Sequence, residues 1–192
     1  MNHCDKIYVE SLCKGRSLVI GTGCNCIQEL VEKYNADAII TLYESWECDA
    51  HDEIVAEARR GRYQLYHLPV QDRTVNPLGH IIEAVRTLAR LVVLGRAVIV
   101  SCYGGCGRTG TVITLFNIVY RCMGFEQALE HYYRQRGCGP ETPEQEALLY
   151  EASRIAGNLC REPLMDKDGC RVYTRSYDPE FVLEKLEELS PI

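Results

Sequence analysis

A cysteine, three glycines and an arginine lie close together after an apolar, β-rich run. The stretch is Cys102-Tyr-Gly-Gly-Cys-Gly-Arg108, and a helical pattern follows it directly. Glycines let the backbone turn its N–H groups towards one point, and a helix N-terminus directs further unpaired N–H groups there. The arginine adds a planar guanidinium that matches two oxygens of a tetrahedral anion. The sequence therefore predicts an anion-binding loop.

Cys102 stands at the start of this loop, where a positive field favours its thiolate. A free thiol is only about 3% ionised at pH 7, and a helix N-terminus alone contributes only about 0.3–2 kcal/mol. The loop N–H groups, Arg108 and the Thr109 hydroxyl must therefore supply the rest of the stabilisation. A thiolate inside an oxyanion site can attack phosphorus. The alternative is a buried structural cysteine beside a glycine turn.

Two other phosphate-binding patterns overlap these glycines. Gly105-x-Gly107-x-x-Gly110 matches the dinucleotide pattern, which also needs a second strand ending in an acidic residue about 20 residues later. Residues 109–136 are nearly all helical in pattern, so this match fails. A P-loop is excluded because no lysine stands at the required position.

Strand-like and helical patterns alternate along the chain. This predicts an α/β fold with a central, mostly parallel sheet of about five strands flanked by helices. Residues 1–157 are predicted to form the domain, and residues 158–192 a tail with a short helix, Phe181–Leu189, packed on it. Gly124 is predicted to close the helix over Thr109–Met123. The predicted strands are Ile7–Val9, Leu18–Ile20, Ala38–Leu42, Tyr63–Leu68 and Ala97–Ser101, and the other helices are Cys26–Tyr34, His51–Arg60, Pro77–Leu94, Phe125–Arg136 and Pro143–Ala156.

The composition is that of a globular protein, with 46% hydrophobic residues, 25% charged residues and a net charge of −6 among 192 residues. A net negative charge does not favour binding to nucleic acid or to an anionic membrane, because both are negatively charged. No apolar run approaches the ~20 residues that span a bilayer, and the N-terminus lacks the apolar region of a secretory signal. We therefore expect a cytoplasmic protein that binds neither nucleic acid nor membrane.

The chain has eleven cysteines. Without a signal sequence a secreted disulfide scaffold is not favoured, and no C-x-x-C pair indicates zinc. We expect most of the cysteines to be small buried apolar groups, although intracellular proteins of hyperthermophiles can be rich in disulfides. For Cys106 the expectation is a space-filling side chain, the alternative being a reversible disulfide with Cys102 on oxidation.

The loop from Cys102 to Arg108 resembles the signature loop of the cysteine-dependent protein tyrosine phosphatases, especially small dual-specificity-like and archaeal members. Upstream, Tyr66-His-Leu-Pro-Val-Gln-Asp72 resembles their general-acid loop. Downstream, Glu141-Thr-Pro-Glu-Gln145 resembles the segment whose glutamine positions the hydrolytic water. The three motifs follow the family's order, whereas low-molecular-weight phosphatases and arsenate reductases place the cysteine near the N-terminus and the acid after it.

The resemblance implies hydrolysis of phosphate monoesters through a phosphocysteine, without metal or cofactor. Cys102 is then the nucleophile and Asp72 the general acid, and Gln145 orients the water that Asp72 deprotonates. Thr109 hydrogen-bonds the departing sulfur. The implied substrates are proteins carrying phosphotyrosine, and also phosphoserine or phosphothreonine. The residues predicted to bind the phosphate are Tyr103, Gly104, Gly105, Cys106, Gly107 and Arg108.

Several alternatives stay open from the sequence alone. Asp72 could be a plain turn residue, Gln145 a helix-capping amide, and Arg73 either a substrate contact or a solvated side chain. The family commonly has histidine before the nucleophile, where this chain has Ser101. A weakened catalyst that serves as a phosphate-recognition module is therefore an alternative function.

A phosphatase for a non-protein substrate such as a phosphoinositide is a further alternative. A hydrolase that pairs the cysteine with His67 or His80 is another, but it leaves Arg108 without a role. The sequence does not determine the oligomeric state.

Overall fold

Five strands form one central sheet in the order β1-β2-β5-β3-β4. β1 runs antiparallel to β2, and the other neighbours are parallel, so the predicted fold class is confirmed. The computed structural model describes residues 6–12, 15–157, 159–160, 164–165, 171–172 and 177–189. The strands are β1 (Tyr8–Leu12), β2 (Ser17–Gly23), β3 (Ala38–Thr41), β4 (Gln64–His67) and β5 (Ala97–Cys102).

Helices cover both faces of this sheet, because strand residues alternate between its two sides. They are α1 (Ile27–Tyr34), α2 (His51–Arg59), α3 (Leu78–Val93), α4 (Gly107–Arg121), α5 (Phe125–Arg136) and α6 (Pro143–Gly157). Ile39 and Ile99 pack in one core with residues of α1 and α2. Ile40 and Val100 pack in the other core with residues of α3 to α6. α4 is buried along almost its whole length, so its N-terminus is held firmly at the sheet edge.

The loops after β3, β4 and β5 leave the same edge of the sheet, because these strands are parallel. Cys102 ends β5, which lies between β2 and β3 at the centre of the sheet. The carboxyl edge of a parallel sheet is where such folds bind ligands. The fold therefore brings together three segments: the one that runs from β3 to Glu47, the one that contains Asp72, and the glycine-rich loop.

The C-terminal segment contributes a helix, α7 (Pro179–Leu189), which contacts α3, α4 and α6. Glu180 holds it there, because one carboxylate oxygen accepts from Nε of Arg86 at 2.7 Å and the other from the hydroxyl of Tyr120 at 2.8 Å. Two-residue strands, β6 (Leu164–Met165) and β7 (Arg171–Val172), pair antiparallel before α7. Strands this short carry no periodicity, so the sequence did not predict them. The boundary at residue 157 stays a prediction.

The prediction that Gly124 closes the helix of the glycine-rich loop is wrong. α4 ends at Arg121, and Cys122 takes the left-handed conformation, with φ of 54°. Its N–H donates to the carbonyl of Asn117, which satisfies a group at the helix end. Gly124 is instead extended and caps the N-terminus of α5.

The expectation that most cysteines are unpaired apolar groups is also wrong. Disulfides join Cys24 to Cys48, Cys106 to Cys138 and Cys122 to Cys160, with Cα–Cα distances of 6.2, 5.4 and 5.8 Å. Cys106 therefore neither fills space as a thiol nor pairs with Cys102. The partners are 24 to 38 residues apart and meet only through the fold, which is why their spacing did not reveal them. Cys102 is the free cysteine of the described residues.

None of the helices in the described residues is both long enough and apolar enough to span a bilayer.

We expect the double variant Cys122→Ser, Cys160→Ser to lose about 3–4 kcal/mol of unfolding free energy, because this disulfide closes a loop of 38 residues. Urea unfolding of the non-reduced protein measures the loss. Each single variant should lose as much as the double variant, because either one removes the bond. If the losses of unfolding free energy in the two single variants instead summed to the loss in the double variant, this would contradict a disulfide at this position.

Candidate active site

The glycine-rich loop turns the backbone N–H of Gly105 towards the sulfur of Cys102. The N–H of Gly105 lies 3.2 Å from Sγ of this buried residue. Gly105 has φ of +72°, and a Cβ at this position would lie 2.3 Å from the carbonyl carbon of Thr22. Both the conformation and the close approach require glycine. The structure thus places one N–H group of the loop at the sulfur of Cys102, and binding of an anion by the loop stays a prediction.

Two buried side chains of α5 hold the outer side of the loop. The hydroxyl of Tyr132 donates to the carbonyl of Gly105 at 2.8 Å. Arg136 donates from Nη2 to the carbonyl of Gly104 at 2.7 Å and from Nε to that of Gly105 at 3.2 Å, and its Nη1 donates to the carbonyl of Lys6. A peptide whose carbonyl is held outward keeps the N–H on its other side inward. α5 therefore stabilises the loop in its anion-binding conformation.

The N-terminus of α4 adds further positive potential at the same point. Cys106 caps the helix, and its carbonyl accepts the N–H of Gly110 at 2.7 Å. The N–H groups of the first helical turn have no partner within the helix and attract anions. The buried Oγ1 of Thr109 has no hydrogen-bond partner among the described residues. It makes no hydrogen bond to Cys102 in this structure, so its role towards the sulfur stays a prediction.

Arg108 is 2% exposed and is oriented by a carboxylate from the segment after β3. Glu47 accepts from both terminal nitrogens, with Oε2 at 2.7 Å from Nη1 and Oε1 at 2.8 Å from Nη2. Nη1 also donates to the carbonyls of Val70, at 2.9 Å, and Leu42, at 3.4 Å. Nε of Arg108, in contrast, is buried and has no partner in the described part of the chain.

The charge of Arg108 is secured by its neighbours. Burial disfavours the guanidinium, but the hydrogen bonds that it donates to Glu47 and its electrostatic interactions with Cys102 and Glu47 outweigh this effect and raise the pKa of Arg108. The pKa of Glu47 is lowered, because the hydrogen bonds from Arg108 and from the N–H of Glu44 exceed the cost of its own burial. The pair therefore stays ionised at neutral pH, with one guanidinium N–H left for an anion.

Asp72 lies beside this arginine. Its Oδ1 is 3.0 Å from Nη2 of Arg108, and its side chain is exposed. A plain turn residue does not require this contact, which places the carboxylate next to the guanidinium, and the general-acid role stays a prediction. Arg73 is exposed and has positive φ, 59°, and nothing in its surroundings assigns it a phosphate.

Gln145 is fully buried between the segment that follows Asp72 and the glycine-rich loop. Its Oε1 accepts from the N–H of Glu141 at 2.8 Å, and its Nε2 donates to the carbonyl of Thr74 at 3.3 Å. Its own N–H donates to Oγ1 of Thr142 at 3.3 Å, as expected for a helix start. Oε1 would also lie 3.3 Å from a Cβ at Gly107. Gln145 is thus both a capping residue and a link between the two loops.

The histidines lie elsewhere. Nδ1 of His67 is 2.8 Å from Oγ1 of Thr41, and Nδ1 of His80 is 2.6 Å from the carbonyl of Pro69. Neither histidine hydrogen-bonds to Cys102 in the described chain, which counts against a cysteine–histidine hydrolase. Ser101, the departure from the family pattern, donates to the carbonyl of Cys102 at 3.1 Å.

Tyr103 completes the loop, and it is 59% exposed. Its carbonyl accepts the N–H of Cys24 at 3.2 Å, which ties the loop to the segment after β2. No cluster of three or more metal-ligating side chains occurs among residues whose placement is described.

Residues 21–121 match the protein family described as "Tc-R-P: Polymorphic toxin system, DSP-PTPase phosphatase". The chain belongs to this family. The match contains the strand, the glycine-rich loop and the buried helix that carry Cys102 and Arg108, and it contains Asp72.

One curated relative is similar in sequence, and two solved structures are similar in fold. Phosphatidylglycerophosphate phosphatase PTPMT2 of Arabidopsis thaliana is 27% identical over 142 residues, which are 72% of this chain and 60% of that protein. The active form of Tk-PTP has a TM-score of 0.63 at 24% identity, covering 78% of this chain and 97% of that chain. DUSP15 has a TM-score of 0.64 at 14% identity, covering 96% and 97%. The chain thus spans 60% of the length of the curated relative.

Sequence reasoning missed three residues that shape the site: Glu47, Tyr132 and Arg136. Glu47 carried one usable signal, since it follows the carboxyl end of a predicted strand, where functional side chains collect. Tyr132 and Arg136 carried a weaker one, because they are four residues apart and share a helix face. Nothing in their types indicated that this face meets the outer side of the loop.

We expect Tyr132→Phe to weaken inhibition by phosphate or vanadate about 2- to 10-fold, because the variant loses one hydrogen bond of about 0.5–1.5 kcal/mol that orients the loop. Alkylation of Cys102 by iodoacetate should slow in parallel. Tyr133→Phe is the matched control, since Tyr133 is 55% exposed on the same helix. Equal behaviour of the two variants would show that α5 does not orient the loop.

Proposed function

We propose that the protein hydrolyses phosphate monoesters through a phosphocysteine intermediate, with phosphotyrosine in proteins as its substrate. The observation that carries this proposal is the convergence of three groups at one sheet edge. Cys102 lies beside the N–H of Gly105, and Arg108 lies beside Asp72, while its Nε has no hydrogen-bond partner among the described residues. Nucleophile, anion clamp and general acid are the parts that such a reaction requires.

In the first step the Cys102 sulfur forms a bond to phosphorus while the bond to the leaving oxygen breaks. The loop N–H groups and Arg108 stabilise the charge on the three other oxygens, which is the main catalytic contribution in phosphoryl transfer. Asp72 donates a proton to the leaving oxygen. In the second step Asp72, now ionised, takes a proton from a water that attacks phosphorus, the P–S bond breaks, and the sulfur leaves as a thiolate.

Charge around the site supports a substrate with a single phosphate. The exposed carboxylates of Asp72, Glu141 and Glu144 and the half-buried one of Glu44 belong to the segments that surround it, and among the described residues of these segments Arg73 is the exposed cation. A headgroup with several phosphates would meet these carboxylates without matching cations. Phosphotyrosine carries one phosphate, and a protonated Asp72 would assist departure of its phenolate.

A phospholipid monoester is the second candidate. It is favoured by the similarity to phosphatidylglycerophosphate phosphatase PTPMT2 and by the structure of PTPMT1 in complex with PI(5)P, which has a TM-score of 0.62 at 22% identity. Trp46, which precedes the Glu47 partner of Arg108, is 79% exposed. Exposed aromatic rings suit a lipid interface as well as a peptide.

The cytoplasmic location stays a prediction. Disulfides are typical of oxidising compartments, and of intracellular proteins in hyperthermophiles.

An activity panel tests the proposed substrate. The expected order of kcat/KM is phosphotyrosyl peptide above phosphoseryl peptide and above phosphatidylglycerophosphate or phosphoinositide in mixed micelles. Cys102→Ser should abolish turnover of every substrate while oxyanion binding persists, because the loop stays intact. If a lipid substrate has the highest kcat/KM of the panel, the second candidate is supported instead. Turnover by Cys102→Ser, or phosphate binding without turnover by the unaltered protein, would refute the enzymatic proposal.

Asp72→Asn should lose about 10²–10⁴ in kcat/KM on a phenyl phosphate with a poor leaving group, and much less on one whose phenolate leaves unprotonated. The measurement is kcat/KM against leaving-group pKa for both proteins. A steeper dependence in the variant supports a general acid. Parallel lines would remove Asp72 from that role.

A further inference from the structure

The glycine-rich loop contains a single side chain through which the rest of the protein can hold its central residues. Among residues 104–107 three are glycines, and the fourth is Cys106. Glycine has more backbone freedom than any other residue, so a run of glycines does not keep one conformation without restraints from outside. A side-chain restraint on this stretch can act only at Cys106, whose sulfur is joined to that of Cys138.

The disulfide lies on the outer side of the loop, behind the peptide group that faces the nucleophile. Sγ of Cys106 is 3.8 Å from the carbonyl oxygen of Gly104, which also accepts from Nη2 of Arg136 at 2.7 Å. The N–H of Gly105 belongs to the same peptide group as this carbonyl, and it lies 3.2 Å from Sγ of Cys102. In a planar trans peptide the C=O and N–H point in opposite directions. A restraint on the carbonyl side therefore orients the N–H towards the nucleophile.

Cys138 is a firm anchor, because the segment that carries it is packed against two helices. Gly137 ends α5 with φ of 77°, and its N–H donates to the carbonyl of Tyr133 at 2.8 Å. A Cβ at Gly110, in the first turn of α4, would lie 3.3 Å from the carbonyl carbon of Gly139. The disulfide therefore joins the loop to a segment that α5 and the first turn of α4 already fix.

We propose that the Cys106–Cys138 disulfide is a positioning crosslink of the glycine-rich loop, so that full activity requires this bond while Cys102 stays reduced. This inference rests on the proposed function. The bond also engages the sulfur of Cys106, which is then not available to form a disulfide with Cys102. Cys106 and Cys138 are both half-buried, so a small dithiol in solution reaches the bond.

The double variant Cys106→Ser, Cys138→Ser tests this role. Its loop N–H groups should lose their fixed direction, and we expect kcat/KM for p-nitrophenyl phosphate to fall about 10- to 100-fold. Inhibition by inorganic phosphate should weaken in parallel, because the same N–H groups bind the inhibitor.

The matched control is the double variant Cys122→Ser, Cys160→Ser. It opens a disulfide of similar sequence separation, 38 residues against 32, at the other end of α4. We expect it to lose a similar unfolding free energy but to keep the kcat/KM and the phosphate inhibition of the unaltered protein at 25 °C. A disulfide that contributes only to stability would not separate the two double variants in this way.

The unaltered protein offers a second measurement that does not depend on the folding of a variant. Dithiothreitol gives two electrons to the disulfide, whose S–S bond breaks to leave two thiols while the dithiol closes to a cyclic disulfide. We expect kcat/KM to fall as the Cys106–Cys138 bond opens. Alkylation of quenched samples, followed by mass spectrometry, identifies the cysteines that have been reduced at each time. The double variant that lacks this bond should not respond to dithiothreitol.

Equal kcat/KM and equal phosphate inhibition in the two double variants would overturn the inference. Full activity of the unaltered protein after both Cys106 and Cys138 have been reduced would overturn it as well. Failure of the proposed function looks different, because the unaltered, disulfide-bonded protein would then hydrolyse no phosphate monoester at all.

Discussion

The buried charge of Arg108 is the constraint on which the rest of the site depends. An isolated guanidinium inside a protein is unfavourable by many kcal/mol, and removing one partner of a buried pair costs about 3–5 kcal/mol. The structure meets this cost with the bidentate carboxylate of Glu47 and two backbone carbonyls, all on loops at the carboxyl edge of the sheet. Those loops must therefore converge for the arginine to be buried at all. Stability and the orientation of the anion-binding N–H groups have the same physical origin.

The glycine-rich loop is a second, linked constraint, because its peptides adopt a conformation that other residues could not. In this conformation the N–H of Gly105 faces Cys102, and the carbonyls of Gly104 and Gly105 face the other side of the loop. Tyr132 and Arg136 satisfy those carbonyls inside the protein, where an unpaired group would be costly. The loop is thus oriented before any substrate arrives, which is how preorganised N–H groups stabilise a transition state.

Two disulfides crosslink the segments that surround the site and do not involve Cys102. Cys24–Cys48 ties the segment after β2 to the residue that follows Glu47, and Cys106–Cys138 ties the loop to the approach to α6. The single free thiol among the described residues, Cys102, is left for chemistry. Crosslinking and the nucleophilic role that we propose for Cys102 therefore fall on different cysteines. Composition alone could not distinguish them.

Local patterns in the sequence determined the order of strands and helices, the α/β class and the loop of Cys102 and Arg108. These follow from periodicity and from glycines beside a helix start, which act over a few residues. The Asp72 and Gln145 segments were found through their resemblance to a family. Only the tertiary structure decided that Glu47 orients Arg108, that α5 holds the loop and which cysteines pair. Such contacts join residues that are far apart in the chain, and a carboxylate or thiol carries no local sign of the partner that folding will place beside it.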